Sequence, residues 1–377
     1  MKAKALIIIL AFTISQLSAQ QDKVADVSIF KSAYNKYEEK DYSGSYLDYS
    51  TYLSKKPKDA NAFYNRGLCA YELKDYKDGI VNFDKSIELG RKSSDAYYSR
   101  GLCNYKLENN ELAMADFDSA IFLKPNYAKA LTFKGACLNE IKKYNEALEH
   151  LNQAVIDDSN YESAYYYRAI TKYYLKDYEN GLEDCNKSLA IKTYYETYFW
   201  RGLHYLNLKR FQESITDYDT VIAHNAKYAK AYYNRAIAYY ELKNYDKSLS
   251  DNNKSIQLDP SKPEAYYNRG LTKFELGKYK DAEPDFNAAI DLRLNQSEQY
   301  TQRGMNYFYQ AKYSDAFSDF SKAIELNPKS SRAFYYRGKL KKYMNDLKGS
   351  CADLNIALSL GEELAREEIT KNGCLNR

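Results

Sequence analysis

A 34-residue spacing governs this chain. Small residues recur at Gly67, Gly101, Gly135, Ala169, Gly202, Ala236, Gly270, Gly304 and Gly338, in steps of 34 except for one step of 33 after Ala169. A period of this length marks stacked supersecondary units, each too small to bury its apolar face alone. The surrounding pattern recurs with it. In residues 265–292, AYYNRGLTKFELGKYKDAEPDFNAAIDL, Tyr266, Gly270 and Lys273 fall at i, i+4, i+7, and Ala282, Phe286, Ala289 and Ile290 fall at i, i+4, i+7, i+8. That spacing predicts two helices per unit, close enough to need small residues between them. Gly277 is a stop between the two, and Pro57, Pro125, Pro260 and Pro328 close several copies after the second helix.

Tyr, Gly, Tyr, Ala, Phe and Pro at these offsets resemble the tetratricopeptide repeat. Nine copies begin at Ala60, Ser94, Ala128, Glu162, Tyr195, Ala229, Pro263, Ser297 and Ser331; the recurring small residue is position 8 of 34. A divergent copy over 26–59 precedes them, with Ala33 at position 8 followed by Tyr42, Ser45, Tyr49 and Pro57. The resemblance implies an all-α fold: a right-handed α-solenoid, or superhelix, of about ten stacked helix–turn–helix units. Nine repeats span 60–364, and residues 365–377 form a C-terminal cap helix around Ala365 and Ile369 that ends at Gly373. The missing residue between Ile191 and Trp200 is a deletion in one turn between repeats.

Residues 1–19 differ from the rest. A basic start, MKAK, precedes the apolar run ALIIILAFTI, and Ala19 stands before a cleavage point. This is the pattern of a signal peptide, and a buried N-terminal helix is the alternative. We expect an exported protein, periplasmic or secreted, with no membrane span after signal removal. The Lys/Asn/Tyr-rich composition is similar to that of exported bacterial proteins. With 55 basic against 51 acidic residues, the charge balance does not suggest a nucleic-acid groove.

Two charged positions recur together. Position 7 is Arg in eight of nine copies and position 23 is Asp in seven. The pairs are Arg100/Asp116, Arg168/Asp184, Arg201/Asp217, Arg235/Asp251, Arg269/Asp285, Arg303/Asp319 and Arg337/Asp353; Arg66/Asn82 and Lys134/His150 depart from the rule. A salt bridge within each helix pair, exposed or buried, is the structural expectation. A row of Arg reading an acidic partner is the alternative.

The resemblance further implies that the first helix of each repeat lines a concave face, with ligand contacts at positions 2, 5, 9, 12 and 13. Positions 5 and 9 carry Tyr64, Leu68, Tyr98, Leu102, Tyr166, Ile170, Phe199, Leu203, Tyr233, Ile237, Tyr267 and Leu271, with Tyr335 at position 5 of the last copy. Position 12 adds Tyr71, Tyr105, Tyr173, Tyr240, Phe274 and Phe308, rings that either line the groove or pack on the next repeat. An aromatic-lined groove suits a peptide or protein segment, and we expect an interaction scaffold in cell-envelope assembly or secretion. A carbohydrate-binding module stacking sugars on the same rings is the alternative. Lys at position 5 with Asn at position 9, the signature that clamps chaperone C-termini, is absent from every copy.

We expect no enzyme, cofactor or metal. His150, His204 and His224 occupy three different repeat positions and form no ligand pair, and no phosphate-binding glycine motif occurs. Cys69, Cys103 and Cys137 share position 10 of successive repeats, too far apart to bridge, while Cys185 replaces the ring of position 24 in the core. Cys351 and Cys374 either staple the cap to the last repeat or remain two thiols.

Overall fold

A computed structural model describes residues 26–293 and 296–374; the signal-peptide reading lies outside them. The described chain forms twenty-one helices without strands. It divides into two compact units, 1–193 and 194–377. Unit 1 holds α1 (26–38), α2 (Tyr42–Lys55), α3 (Ala60–Glu72), α4 (Tyr76–Glu88), α5 (Ser94–Lys106), α6 (Asn110–Leu123), α7 (Ala128–Glu140), α8 (Tyr144–Asp157), α9 (Glu162–Tyr174) and α10 (Tyr178–Ile191). Unit 2 holds α11 (Tyr195–Asn207), α12 (Phe211–His224), α13 (Ala229–Glu241), α14 (Tyr245–Leu258), α15 (Pro263–Glu275), α16 (Tyr279–Asp291), α17 (Ser297–Tyr309), α18 (Tyr313–Leu326), α19 (Ser331–Tyr343), α20 (Leu347–Ser359) and α21 (Leu364–Lys371). Within each unit a first helix packs on its second helix, and that second helix packs on the next first helix. This is the stacking of an α-solenoid.

The turn inside each pair is uniform. Position 15 is left-handed in all ten copies, with φ between 58° at Lys209 and 71° at Gly277. Gly277 is the only glycine among them; Lys40, Lys74, Glu108, Lys142, Lys176, Lys209, Lys243, Ala311 and Asn345 take the same conformation. Left-handed backbone costs a side-chain-bearing residue about 1 kcal/mol. The pairing of the two helices therefore imposes this turn, and a glycine stop marks it in one copy only. Where Pro follows the second helix, the residue before it is extended, as at Lys124 (φ −143°, ψ 89°) and Asn327 (φ −143°, ψ 97°).

Position 8 sets the distance between paired helices. A Cβ built on Gly67, Gly101, Gly270 or Gly304 would stand 2.8–2.9 Å from Cε1 of the Phe at position 24. Gly202 meets Tyr218 in the same way, and Gly135 and Gly338 meet Leu151 and Leu354. The two copies with Ala at position 8 in the well-formed repeats, Ala169 and Ala236, carry the shorter Cys185 and Asn252 at position 24. The sizes compensate. Only the first copy departs, with Ala33 opposite the buried Tyr49. Asn252 completes its site poorly: its amide donates to Ser248 O and to Ser248 Oγ, but its carbonyl oxygen is buried without a partner.

The paired charges bind the stack. Each Asp of position 23 accepts from the Arg of position 7 in its own repeat, as in Arg269 Nε to Asp285 Oδ2 at 3.0 Å and Nη2 to Oδ1 at 2.5 Å. All seven predicted pairs form, at 2.5–2.8 Å. Of the exposed and buried forms that the sequence left open, the structure takes the buried one for the acids. Asp116, Asp184, Asp217, Asp251, Asp285, Asp319 and Asp353 expose only 2–6% of their surface, so none of them belongs to a partner-facing site. The physical reason is the close approach at position 8, which draws position 23 of the second helix under the first. Asp184 is closed off by Arg168 and Lys172, Asp251 by Arg235, and Asp353 by Arg337 and Lys341. The Arg side chains, by contrast, keep 16–24% of their surface.

A further contact links adjacent repeats. The remaining Arg nitrogen, Nη1, reaches back to position 25 of the preceding second helix: Arg100 to Asp84, Arg168 to Asn152, Arg235 to Asp219, Arg269 to Asn253, Arg303 to Asn287 and Arg337 to Ser321. One guanidinium thus clamps three helices. Its flat face lies over the ring of position 4, with Tyr97, Tyr165, Tyr198, Tyr232, Tyr266, Tyr300 and Phe334 at 5.1–5.6 Å. In three copies a Lys at position 11 adds a second cation to the same carboxylate: Lys172 on Asp184, Lys273 on Asp285 and Lys341 on Asp353.

The exceptions fit the scheme. Arg66 donates to Asn82 at 2.7 Å and to Ser50. Lys134 cannot fork, and it pairs only with Asp118 of the preceding repeat. His150 stands where the other copies carry the anion, and burial, with the Lys134 cation nearby, pushes its pKa down. Burial also pushes Asp116, Asp217 and Asp319 above the ordinary carboxylate value despite the guanidinium beside each. Desolvation offsets much of the ion-pair attraction, so the clamp serves register more than net stability. These guanidinium groups are engaged inside the stack, which removes the reading of a free Arg row for an acidic partner.

At the C-terminus, Ala365 and Ile369 of α21 bury against Leu354, Ala357 and Tyr335. Cys351 and Cys374 are joined by a disulfide, with Cα atoms 5.4 Å apart. Cys69, Cys103 and Cys137 are free and buried, and Cys185 is fully buried.

Two measurements test this packing. Asn252→Phe alone should lose about 1–3 kcal/mol by overpacking against Ala236. Combined with Ala236→Gly it should instead gain about 1 kcal/mol, as read by urea unfolding, because a ring then replaces a side chain whose buried carbonyl oxygen has no partner. Arg269→Ala and Asp285→Ala should each cost about 3 kcal/mol. The double variant should cost less than their sum by at least about 1 kcal/mol; strict additivity would remove the clamp.

Candidate interaction face

The first helices place positions 5, 9 and 12 along one face of each unit, and the structure gives those side chains different duties. At position 5 the ring sits on the ring of position 24 in the same repeat. Tyr64 lies 5.6 Å from Phe83, Tyr98 6.0 Å from Phe117, Phe199 5.9 Å from Tyr218 and Tyr267 6.0 Å from Phe286. The same ring that crosses position 8 therefore anchors position 5. Tyr98 and Phe199 are also closed over by Tyr127 and Tyr228, at 5.1 and 5.2 Å.

Burial divides the predicted contact residues. Tyr64, Leu68, Tyr98, Leu102, Tyr166, Tyr233, Ile237, Tyr267 and Leu271 are half-buried. Ile170, Phe199, Leu203 and Tyr335 expose only 6–8% of their surface. These last four belong to the core in this conformation, a correction to the open groove expected along the whole row. Their burial follows from local packing: Tyr335 is held among Cys351, Leu354 and the cap helix.

Position 12 serves chiefly to join elements. Its ring packs edge-on or tilted against the aromatic residue that opens the second helix: Tyr71 on Tyr76, Tyr173 on Tyr178, Tyr240 on Tyr245, Phe274 on Tyr279 and Phe308 on Tyr313, at 5.1–6.0 Å. Position 13 then stacks flat on that opening ring of the preceding repeat, in Tyr144–Tyr174, Tyr279–Tyr309 and Tyr313–Tyr343. These ladders use twelve of the chain's 42 Tyr. Sequence reasoning missed them, although the recurrence of aromatic residues at positions 12, 13 and 17 was the signal. It missed the acceptors of position 25 too, which are polar in every copy. Burial pushes the phenols of Tyr71 and Tyr105 up to about 12, so both remain neutral hydrogen-bonding groups at physiological pH.

One concavity opens on this face within unit 2. Its volume is about 300 Å³, and Lys230, Tyr233 and Asn234 of α13 line it with Ser255, Asp259, Lys262 and Glu264. It thus combines one aromatic wall with two cations and two carboxylates. Hydrogen bonds from Ser261, with Lys262 and Lys230 nearby, hold Asp259 below the usual carboxylate value. The arrangement suits a mixed-charge extended segment with one side chain seated against Tyr233. Among the described residues no three His, Cys, Asp or Glu side chains converge on a metal position. No helix there is long and apolar enough to cross a membrane.

Comparisons with known proteins bear on the family. Residues 94–127, 229–262 and 263–295 match tetratricopeptide-repeat models, and these are α5/α6, α13/α14 and α15/α16 with their connections. No curated protein matches the chain. Among solved structures, MamA from Desulfovibrio magneticus RS-1 is 21% identical over 44% of this chain and 94% of its own, with a TM-score of 0.41. PilF from Pseudomonas aeruginosa is 18% identical over 55% of this chain and 94% of its own, at a TM-score of 0.49. YrrB, a tetratricopeptide protein with an unusual peptide-binding site, is 24% identical over 44% of this chain and 84% of its own, at 0.38. Likeness at this level speaks for no partner or activity. Three helix pairs match the repeat's own model and the others keep its period and its packing, so the chain is a tetratricopeptide-repeat protein.

Proposed function

We propose that this chain is a non-enzymatic scaffold that holds a peptide or protein segment against its first-helix face. The observation that carries the reading is the row of half-buried rings anchored on the core at position 5, with a concavity at Tyr233 bordered by both signs of charge. Rings fixed from behind lose little further freedom on binding, and this favours contact surfaces built from Tyr. The mixed Lys and acid border favours a polypeptide over an uncharged glycan. We further propose that it acts outside the cytoplasm, in envelope assembly or secretion. The signal-like N-terminus and the Cys351–Cys374 disulfide support that setting.

Selection of peptides on the purified chain, followed by calorimetry, tests the binding face. Tyr233→Ala/Tyr267→Ala should weaken the selected peptides at least about tenfold with the helical content retained, as expected for truncated Tyr anchors. Equal affinity in the variant would remove the first-helix face from consideration. For the setting, the mature chain isolated from its source cells should begin after Ala19. It should also resist alkylation at Cys351 and Cys374 until reduced; an intact N-terminus with two reactive thiols would place it in the cytoplasm.

A further inference from the structure

The two units differ on the face built by the second helices. In unit 1 that face carries well-exposed apolar side chains: Phe122 shows 85% of its surface, Ile156 74%, Val81 63% and Leu112 60%. The equivalent places of α18 in unit 2 carry Asp315 and Glu325 where α6 carries Leu112 and Phe122. Nothing in the packing of the stack requires this, since the core side of α6 is complete with Ala113, Phe117 and Ala120 fully buried. The helix is apolar on both sides, which for a surface helix signals a second contact.

We propose that two copies of this chain associate through α6 as an antiparallel, two-fold symmetric pair. The order of residues along its outer stripe is self-complementary. Leu112 and Phe122 lie ten residues apart, about 15 Å along the axis. Between them stand the small Ala115 and Ser119, which let two helices approach to about 8 Å. An antiparallel crossing centred there seats Phe122 of each copy on Leu112 of the other, as an isologous interface demands. The ends complement one another as well. Glu111 lies in the first turn and Lys124 caps the C-terminal end, its ammonium 4.6 Å from the Tyr127 ring centroid; both are exposed, and neither has an ion-pair partner among the described residues. In the antiparallel pair each Glu111 meets the Lys124 of the second copy, and the helix dipoles oppose.

The area suits a moderate association. Val81 of α4, Ile156 of α8, and Leu112, Phe122 and Leu123 of α6 offer roughly 100 Å² each. That is more than half of the roughly 800 Å² per partner in a standard interface. A dissociation constant in the micromolar range follows for a contact of this size with two small rim pairs.

Sedimentation equilibrium of the full chain from about 1 to 300 µM tests the proposal. The weight-average mass should rise from monomer to dimer over that range. Phe122→Glu should remain monomeric with an unchanged melting temperature, since the ring contributes little to the fold. Glu111→Lys and Lys124→Glu should each weaken the dimer about fivefold, and the double reversal should restore it to within about twofold. A wild-type chain that stays monomeric overturns the proposal. So does a Phe122→Glu variant that dimerises normally, or a double reversal no better than either single change.

Discussion

The stack depends on a side chain that is missing. At position 8 the first helix presents bare backbone to a ring or a leucine on the second helix, and a methyl group there would stand 2.6–2.9 Å from it. Close approach follows, and with it the rest of the unit. The Arg one residue earlier is carried deep enough to reach a buried Asp on its own second helix. It also reaches an acceptor on the second helix before it. The ring beside that Arg then covers the guanidinium. One steric condition thus sets the geometry in which a charged group can be shared among three helices.

The same contact organises the candidate interaction face. Position 24 touches position 8 on one side and supports the ring of position 5 on another. Surface and core are continuous here: whatever seats against Tyr267 presses on Phe286, the ring that sets the approach of its own helix pair. This links binding to stability in a way that separate surface contacts would not. The second-helix face lies outside this coupling, and its composition is free to differ between units, apolar at Phe122 and acidic at Glu325.

Much of this was legible from residue spacing. The helix pairs, their starts at Ala60 through Ser331, and the Arg/Asp partnership all follow from a period that repeats nine times, because repetition averages away the ambiguity of any one segment. Less legible was depth. Spacing paired Asp184, Asp251 and Asp353 with their Arg partners but did not say that the carboxylates lie inside the stack. Nor did it show the burial of Phe199, Ile170, Leu203 and Tyr335. Position within the repeat says which helix face a side chain shares. It does not say how far the neighbouring Tyr228 or the cap helix closes over it. The turn at position 15 shows the same limit, since Lys and Glu stand where local propensity asks for glycine.

The sequence by itself determined the periodic elements of this protein: which stretches are helical, which residues pair by size at positions 8 and 24, and which charges belong together. These are set by spacings within one repeat, where neighbours in sequence are neighbours in space. Only the tertiary structure decided what passes between repeats. The backward reach of each Arg to position 25, the flat stacking of Tyr309 on Tyr279, and the division of position 5 into buried and half-open rings are examples. Those depend on the distance and rotation between successive helix pairs, quantities that emerge when the pairs pack and that no single repeat encodes.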